Sequence, residues 1–230
     1  MLKPQSTRLC EELMRHLLTL VLFSMAFSIT GCANDGSSLF ITGVGGLDDM
    51  CLVDTSVSRT NAVVDVTLTD NLVIYPVFAS QVRDRVSANA ANPSDMHVRW
   101  VDVRLEDLGG NTLDVGLPNP FRVPTSVFIE GFMGSGEVSM GTGAVQVLPP
   151  GYADAVAAAP GGSVLAALRP IGRTNGGLEV KGNYDFHYQI IACASVPGTS
   201  SCLSRCATVD EELVTPCAPG QNDVAIISCP

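Results

Sequence analysis

Positive charge is scarce in this chain. Thirteen lysines and arginines stand against 23 aspartates and glutamates, for a formal net charge of −10. A surface of that sign repels phosphate backbones, which argues against nucleic acid as a partner, and it disfavours anionic lipid head groups for the same reason. Histidine is nearly absent, at three residues, and Trp100 is the single tryptophan. Three motifs of common chemistries are missing: the Gly-x-Ser-x-Gly elbow, His-Glu-x-x-His and the Walker lysine loop. No apolar run reaches the roughly 20 residues that a bilayer-spanning helix needs.

The run that comes nearest is 17–29, broken only by Thr19, Ser24 and Ser28, with Arg15 and His16 just before it. It has the length and flanks of a signal-peptide core. It closes on Ile29-Thr30-Gly31-Cys32, which resembles the lipobox of bacterial lipoproteins. The resemblance implies cleavage between Gly31 and Cys32, with a covalent lipid on the Cys32 thiol at the new N-terminus. Ala33 stands where some lipoproteins carry the Asp that retains them at the inner membrane, so by the same resemblance the outer membrane is expected. Glu11 and Glu12 are out of place in a leader, whereas Met14-Arg15-His16 opens a normal short one. Translation is therefore expected to start at Met14, leaving Cys10 without a role.

Removing residues 1–31 leaves 199 residues with 10 basic and 21 acidic side chains, a formal net charge of −11. Attachment to the membrane must then come from acyl chains rather than from charge. Glycine (22) and proline (14) are plentiful, charged residues sparse, and valine and threonine recur at strand-like spacing. This composition suits an all-β domain with many turns. Beyond Cys10 and Cys32, the cysteines are Cys51, Cys193, Cys202, Cys206, Cys217 and Cys229. An even number in an exported chain predicts disulfides. The tail 193–230 is expected to be stapled, with Cys51 tying it to the start of the domain, and the pairing stays open among 15 possibilities.

After a polar tether at 32–38, a single sandwich domain is expected over 39–192. In 61–69, Val64, Val66 and Leu68 alternate with Asp65 and Thr67, the period of a strand with one wet face. Asp70-Asn71 then reads as the turn of a hairpin into 72–78, whose Pro76 suggests a sheet edge. Along 97–106, Val98 and Trp100 share one face, and Val101, Val103 and Leu105 the other, so a bulge near Trp100 is predicted. Further strands are expected at 121–130, 144–148, 164–168, 178–180 and 185–193, with a flexible loop at 131–143 and two helical turns at 152–159. Short strands with turn chemistry between them predict an antiparallel β-sandwich, immunoglobulin-like or a related Greek key.

Thr174-Asn175-Gly176-Gly177, Cys193, Cys217-Ala218-Pro219-Gly220-Gln221 and Cys229 resemble the C-terminal region of predicted lipoproteins of myxobacteria and their relatives. That likeness covers about the last 60 residues and implies architecture, not activity.

Asp185 and His187 fall on one strand face, as an orienting carboxylate and a base could. No nucleophile accompanies them, so a solvated face is the preferred reading. Gly134-Ser135-Gly136 lacks the lysine or helix start of a phosphate cradle. Asp48, Asp49 and Asp54 cluster around Cys51 and could hold calcium, against the plainer reading of an acidic turn. Cys202-x-x-x-Cys206 has neither a zinc pattern nor a cationic redox setting. Trp100 is expected in the core beside Val98, and an exposed Trp100 would instead suggest sugar stacking.

The expected function is therefore a non-enzymatic cell-envelope lipoprotein with a structural or adhesive role toward an envelope protein or polysaccharide. The competing expectation is a small-ligand module for a saccharide or calcium. It requires either Trp100 exposed beside polar groups or convergence of Asp48, Asp49 and Asp54.

Overall fold

Alternating apolar residues build twelve strands in the computed structural model, which describes residues 38–48, 50–82, 92–131, 138–194 and 221–224. The leader with Gly31 and Cys32 and the cysteines at 202, 206, 217 and 229 lie outside the described residues. Cys51 and Cys193 are each in a disulfide.

The strands are β1 (Leu39–Leu47), β2 (Val53–Arg59), β3 (Asn61–Asp65), β4 (Leu72–Ser80), β5 (Met96–Glu106), β6 (Phe121–Ile129), β7 (Ser139–Thr142), β8 (Val145–Leu148), β9 (Ser163–Thr174), β10 (Glu179–Lys181), β11 (Phe186–Cys193) and β12 (Gln221–Val224). One short helix, α1 (Tyr152–Ala157), precedes β9. The smaller sheet runs β2-β1-β4-β7, with β8 also on β4; the larger runs β12-β3-β11-β9-β5-β6, with β10 also on β9. Side chains from both sheets meet in one apolar core, including Leu39, Phe78, Val98, Leu105, Val127, Leu168, Tyr188 and Ile190. The molecule is an all-β sandwich. One pair departs from the antiparallel expectation: β11 and β3 run parallel, from Gln189 opposite Asn61 to Cys193 opposite Asp65. The tail contributes β12 to the larger sheet, antiparallel to β3.

The hairpin expected from 61–78 does not form. β3 stops at Asp65 because its carboxylate accepts hydrogen bonds from the Thr67 N–H (3.0 Å) and hydroxyl (2.7 Å). Its carbonyl accepts those of Leu68 and Thr69. A buried aspartate that bonds its own downstream backbone competes with the ladder, so Leu68 ends up 60 % exposed. The chain then crosses to the other sheet as β4.

Pro76 is not at an edge, since β4 lies between β1 and the β7–β8 side. On that side β8 pairs with 72–74 and β7 with 77–80, so Tyr75 and Pro76 face neither strand. The region expected as loop at 131–143 includes β7. Gly141 lies so close to β6 that a Cβ there would come within 2.6 Å of the Phe128 carbonyl oxygen. That close approach joins the rims of the two sheets.

The bulge predicted near Trp100 is present. On β9, Val98 faces Gly172 and Trp100 faces Ile171, so Arg99 is the extra residue. Val101, Val103 and Leu105 return to the core after it.

Candidate functional site

The outer face of the larger sheet carries an arrangement that ordinary strand alternation would not give. Because the bulge adds one residue, Arg99 and Trp100 are both exposed, and Trp100 has 41 % of its surface open. The expectation of a core tryptophan is thereby corrected. Register places Pro124, Trp100, Ile171 and Lys181 in one row across β6, β5, β9 and β10. The row on one side holds Phe128, His97, Arg173 and Glu179. Phe128 is 48 % exposed, and its ring lies 5.1 Å from that of His97. An aromatic and apolar platform of Pro124, Trp100, Phe128 and His97 therefore covers the β5–β6 end of these rows, and Arg173, Glu179 and Lys181 continue them over β9 and β10.

The row on the other side is charged. Arg122, Asp102 and Arg169 face one another across β6, β5 and β9, and the next row sets Arg104 beside Ala167 and His187. The short Ala167 side chain leaves room between longer neighbours, and a recess of about 400 Å³ opens there. Arg104, Arg122, Arg169 and Lys181 line it together with Asp102 and Asp185. Asp102 accepts from Arg122 Nε (2.7 Å), Arg122 Nη2 (3.3 Å) and Lys181 Nζ (2.9 Å). Asp185 accepts from Arg169 Nε (2.7 Å) and Arg104 Nη2 (2.9 Å). Arg104 Nε also reaches Glu106 Oε1 at 2.6 Å.

Burial works against the charge of Asp102, but hydrogen bonds from Arg122 and Lys181 outweigh it and hold the carboxyl below its usual value. The Arg104 guanidinium is pushed up, first by its hydrogen bond to Glu106.

The Asp185–His187 pair raised by the sequence is not assembled. Asp185 is engaged by two arginines, and His187 Nε2 instead sits 3.3 Å from Glu106 Oε2. Periodicity alone had no means of showing that Glu106, 81 residues away, comes closer to the imidazole. The acidic turn also proves local. Asp48 Oδ1 accepts the N–H groups of Met50 and Leu52 at 2.9 and 2.8 Å, and Asp54 Oδ1 accepts that of Ser56 at 2.8 Å. Asp49 and the segment 134–136 lie outside the described residues. Among the described residues no three His, Cys, Asp or Glu side chains come together as a metal site.

What sequence reasoning missed is the cationic cluster. Arg104, Arg122, Arg169 and Lys181 are scattered over four strands, β5, β6, β9 and β10. Their only sequence signal is that each sits at an outward position of its strand. No protein-family model matches the chain, and no curated protein or solved structure matches it.

Proposed function

We propose that this protein is a non-enzymatic, lipid-anchored envelope module that binds a polysaccharide on the outer face of its larger sheet. The observation that carries the reading is Trp100, exposed by the β5 bulge next to a row of charged side chains. An aromatic face stacks on the apolar C–H face of a sugar ring, while neighbouring polar groups bond its substituents. The exposed rows span β6, β5, β9 and β10, an extended surface that suits a polymer better than a small enclosed ligand. Anchoring rests on the leader at 17–29 and on Cys32, and an oxidised tail with Cys193, Cys202, Cys206, Cys217 and Cys229 fits the same exported location.

Two measurements test this reading. Mass spectrometry of the unreduced, membrane-extracted protein should give an acylated Cys32 peptide and three internal disulfides. Co-sedimentation of the detergent-solubilised full chain with insoluble polysaccharides should retain the protein, and Trp100→Ala should release it while the protein remains folded by circular dichroism. Failure to sediment with any polysaccharide would return the protein to a purely structural or protein-adhesive role.

A further inference from the structure

The recess beside Trp100 assigns a ligand chemistry as well as a surface. We infer that the face binds a carboxylate-bearing polysaccharide, with a sugar ring stacked on Trp100 and a uronate carboxylate seated among Arg122, Arg169 and Lys181. The inference rests on the polysaccharide reading above and narrows it.

Three observations converge. The first is local charge: four cationic side chains and two carboxylates line the recess, and with Glu106 paired to Arg104 one positive charge is left over on a chain whose net charge is −10. A concave positive patch on an otherwise negative molecule selects an anion and concentrates it there. The second is unused donors. Arg169 bonds Asp185 through Nε alone. Arg122 holds Asp102 through Nε and Nη2, leaving Nη1, and Lys181 makes one such bond with three available hydrogens. The third is the geometry these groups already accept. Asp102 and Asp185 are carboxylates seated between pairs of cations in this recess, Asp102 between Arg122 and Lys181 and Asp185 between Arg104 and Arg169. A planar carboxylate from outside meets the donors that Asp102 and Asp185 leave open, on Arg122 Nη1, the Arg169 guanidinium and Lys181 Nζ.

The spacing suits one ligand. Trp100 and Asp102 are two residues apart on one strand and share a face, which separates them by about 7 Å, roughly the width of one sugar ring. Ile171 lies between Trp100 and Lys181 in their row and is 6 % exposed, so it is covered by its longer neighbours and no charged side chain separates platform from recess along that row. A neutral glycan would satisfy the platform and leave the spare cationic donors in water.

The test is isothermal titration calorimetry on the detergent-solubilised full chain at low salt. The probes are an oligogalacturonate, the neutral galactose oligomer of equal length and a sulfated oligomer. The oligogalacturonate should bind at least about tenfold more tightly than the neutral oligomer, and raising salt should weaken it by about tenfold as the ion pairs are screened. Arg122→Gln with Lys181→Gln, both half-exposed side chains, should abolish that preference, whereas Arg122→Lys with Lys181→Arg should keep it.

Equal affinity for the neutral oligomer, or a preference untouched by the glutamine pair, would overturn the anionic inference while leaving the polysaccharide reading intact if Trp100→Ala still abolishes binding. Sulfate bound in preference to uronate would overturn the carboxylate assignment. Absence of binding to all three probes, with salt and Trp100→Ala without effect, would remove both readings. The salt series on the unmodified protein decides the ionic question even if the double variant fails to fold.

Discussion

Asn119 holds the long connection between β5 and β6 through three hydrogen bonds from one side chain. Its Oδ1 accepts the Leu105 N–H at 2.9 Å, and its Nδ2 donates to the Leu105 and Leu113 carbonyls at 2.9 and 2.8 Å. Asn119→Ala would leave the N–H of a buried strand residue without its acceptor, a loss of about 1–3 kcal/mol. Asn119→Asp should cost at least as much, because an acceptor would then face two carbonyls. Urea denaturation of the two variants measures both effects.

Asp102 offers a second test at this scale. Its folded pKa lies below the ordinary carboxyl value of 3.8, so its stabilising contribution is present above that value and fades as pH falls through the lower folded one. Asp102→Asn should cost about 1 kcal/mol at neutral pH, given that Arg122 and Lys181 are half exposed. The difference from the unmodified protein should vanish in acid, as thermal melts between pH 7 and 2 would show. Residue roles such as these were only partly legible in the sequence. Trp100 stood out by being unique, but its exposure depended on which way a bulge turned it. The partners of Asp185 and His187 depended on strands far away in the chain.

Elements were easier to read where polar and apolar residues alternate cleanly. The slip in 97–106 announced the β5 bulge, and β11 falls almost where its pattern puts it. Glycine hid β1 and β7. β1 reads LFITGVGGL and β7 reads SMGT, and glycine in a strand carries no side-chain signal. At Gly141 the reason for the glycine is visible, since a methyl group would meet the Phe128 carbonyl oxygen at 2.6 Å and a Val127 methyl at 2.7 Å. Gly141→Ala should destabilise by about 1–3 kcal/mol, read as a lowered Tm. Alternation also misled at 61–69, where Val66 and Leu68 continue a strand pattern beyond the point at which Asp65 has turned the backbone.

At the scale of the molecule, the sandwich was legible from composition and turn spacing. The parallel β3–β11 pair was not, because it joins segments more than a hundred residues apart. β12 covers the outer edge of β3 along Asn61–Val64. A chain ending at residue 194 would expose that row of backbone donors and acceptors, the surface through which edge strands self-associate. Analytical ultracentrifugation should find the shortened protein forming oligomers where the full chain stays monomeric. Charge is arranged on the same scale. Six of the 13 basic residues (Arg99, Arg104, Arg122, Arg169, Arg173 and Lys181) lie on strands of the larger sheet, so the most basic surface opposes the sign of the whole.

The division of labour between the sheets has a mechanical consequence. The chain enters the sandwich at Leu39, at the start of β1 in the smaller sheet, where Leu39 pairs with Ser80. Trp100 and the cationic recess belong to the larger one. On the anchored, polymer-binding reading proposed above, tension between the N-terminus and the outer face of the larger sheet would have to cross between the layers. It would pass from β1, which pairs with β4 from Leu39 to Gly45 and with β2 only from Val44 to Leu47, through the packed side chains between the layers. Resistance to pulling is a matter of the unfolding rate rather than of equilibrium stability, and here that rate is tied to the apolar interior instead of to an exposed edge.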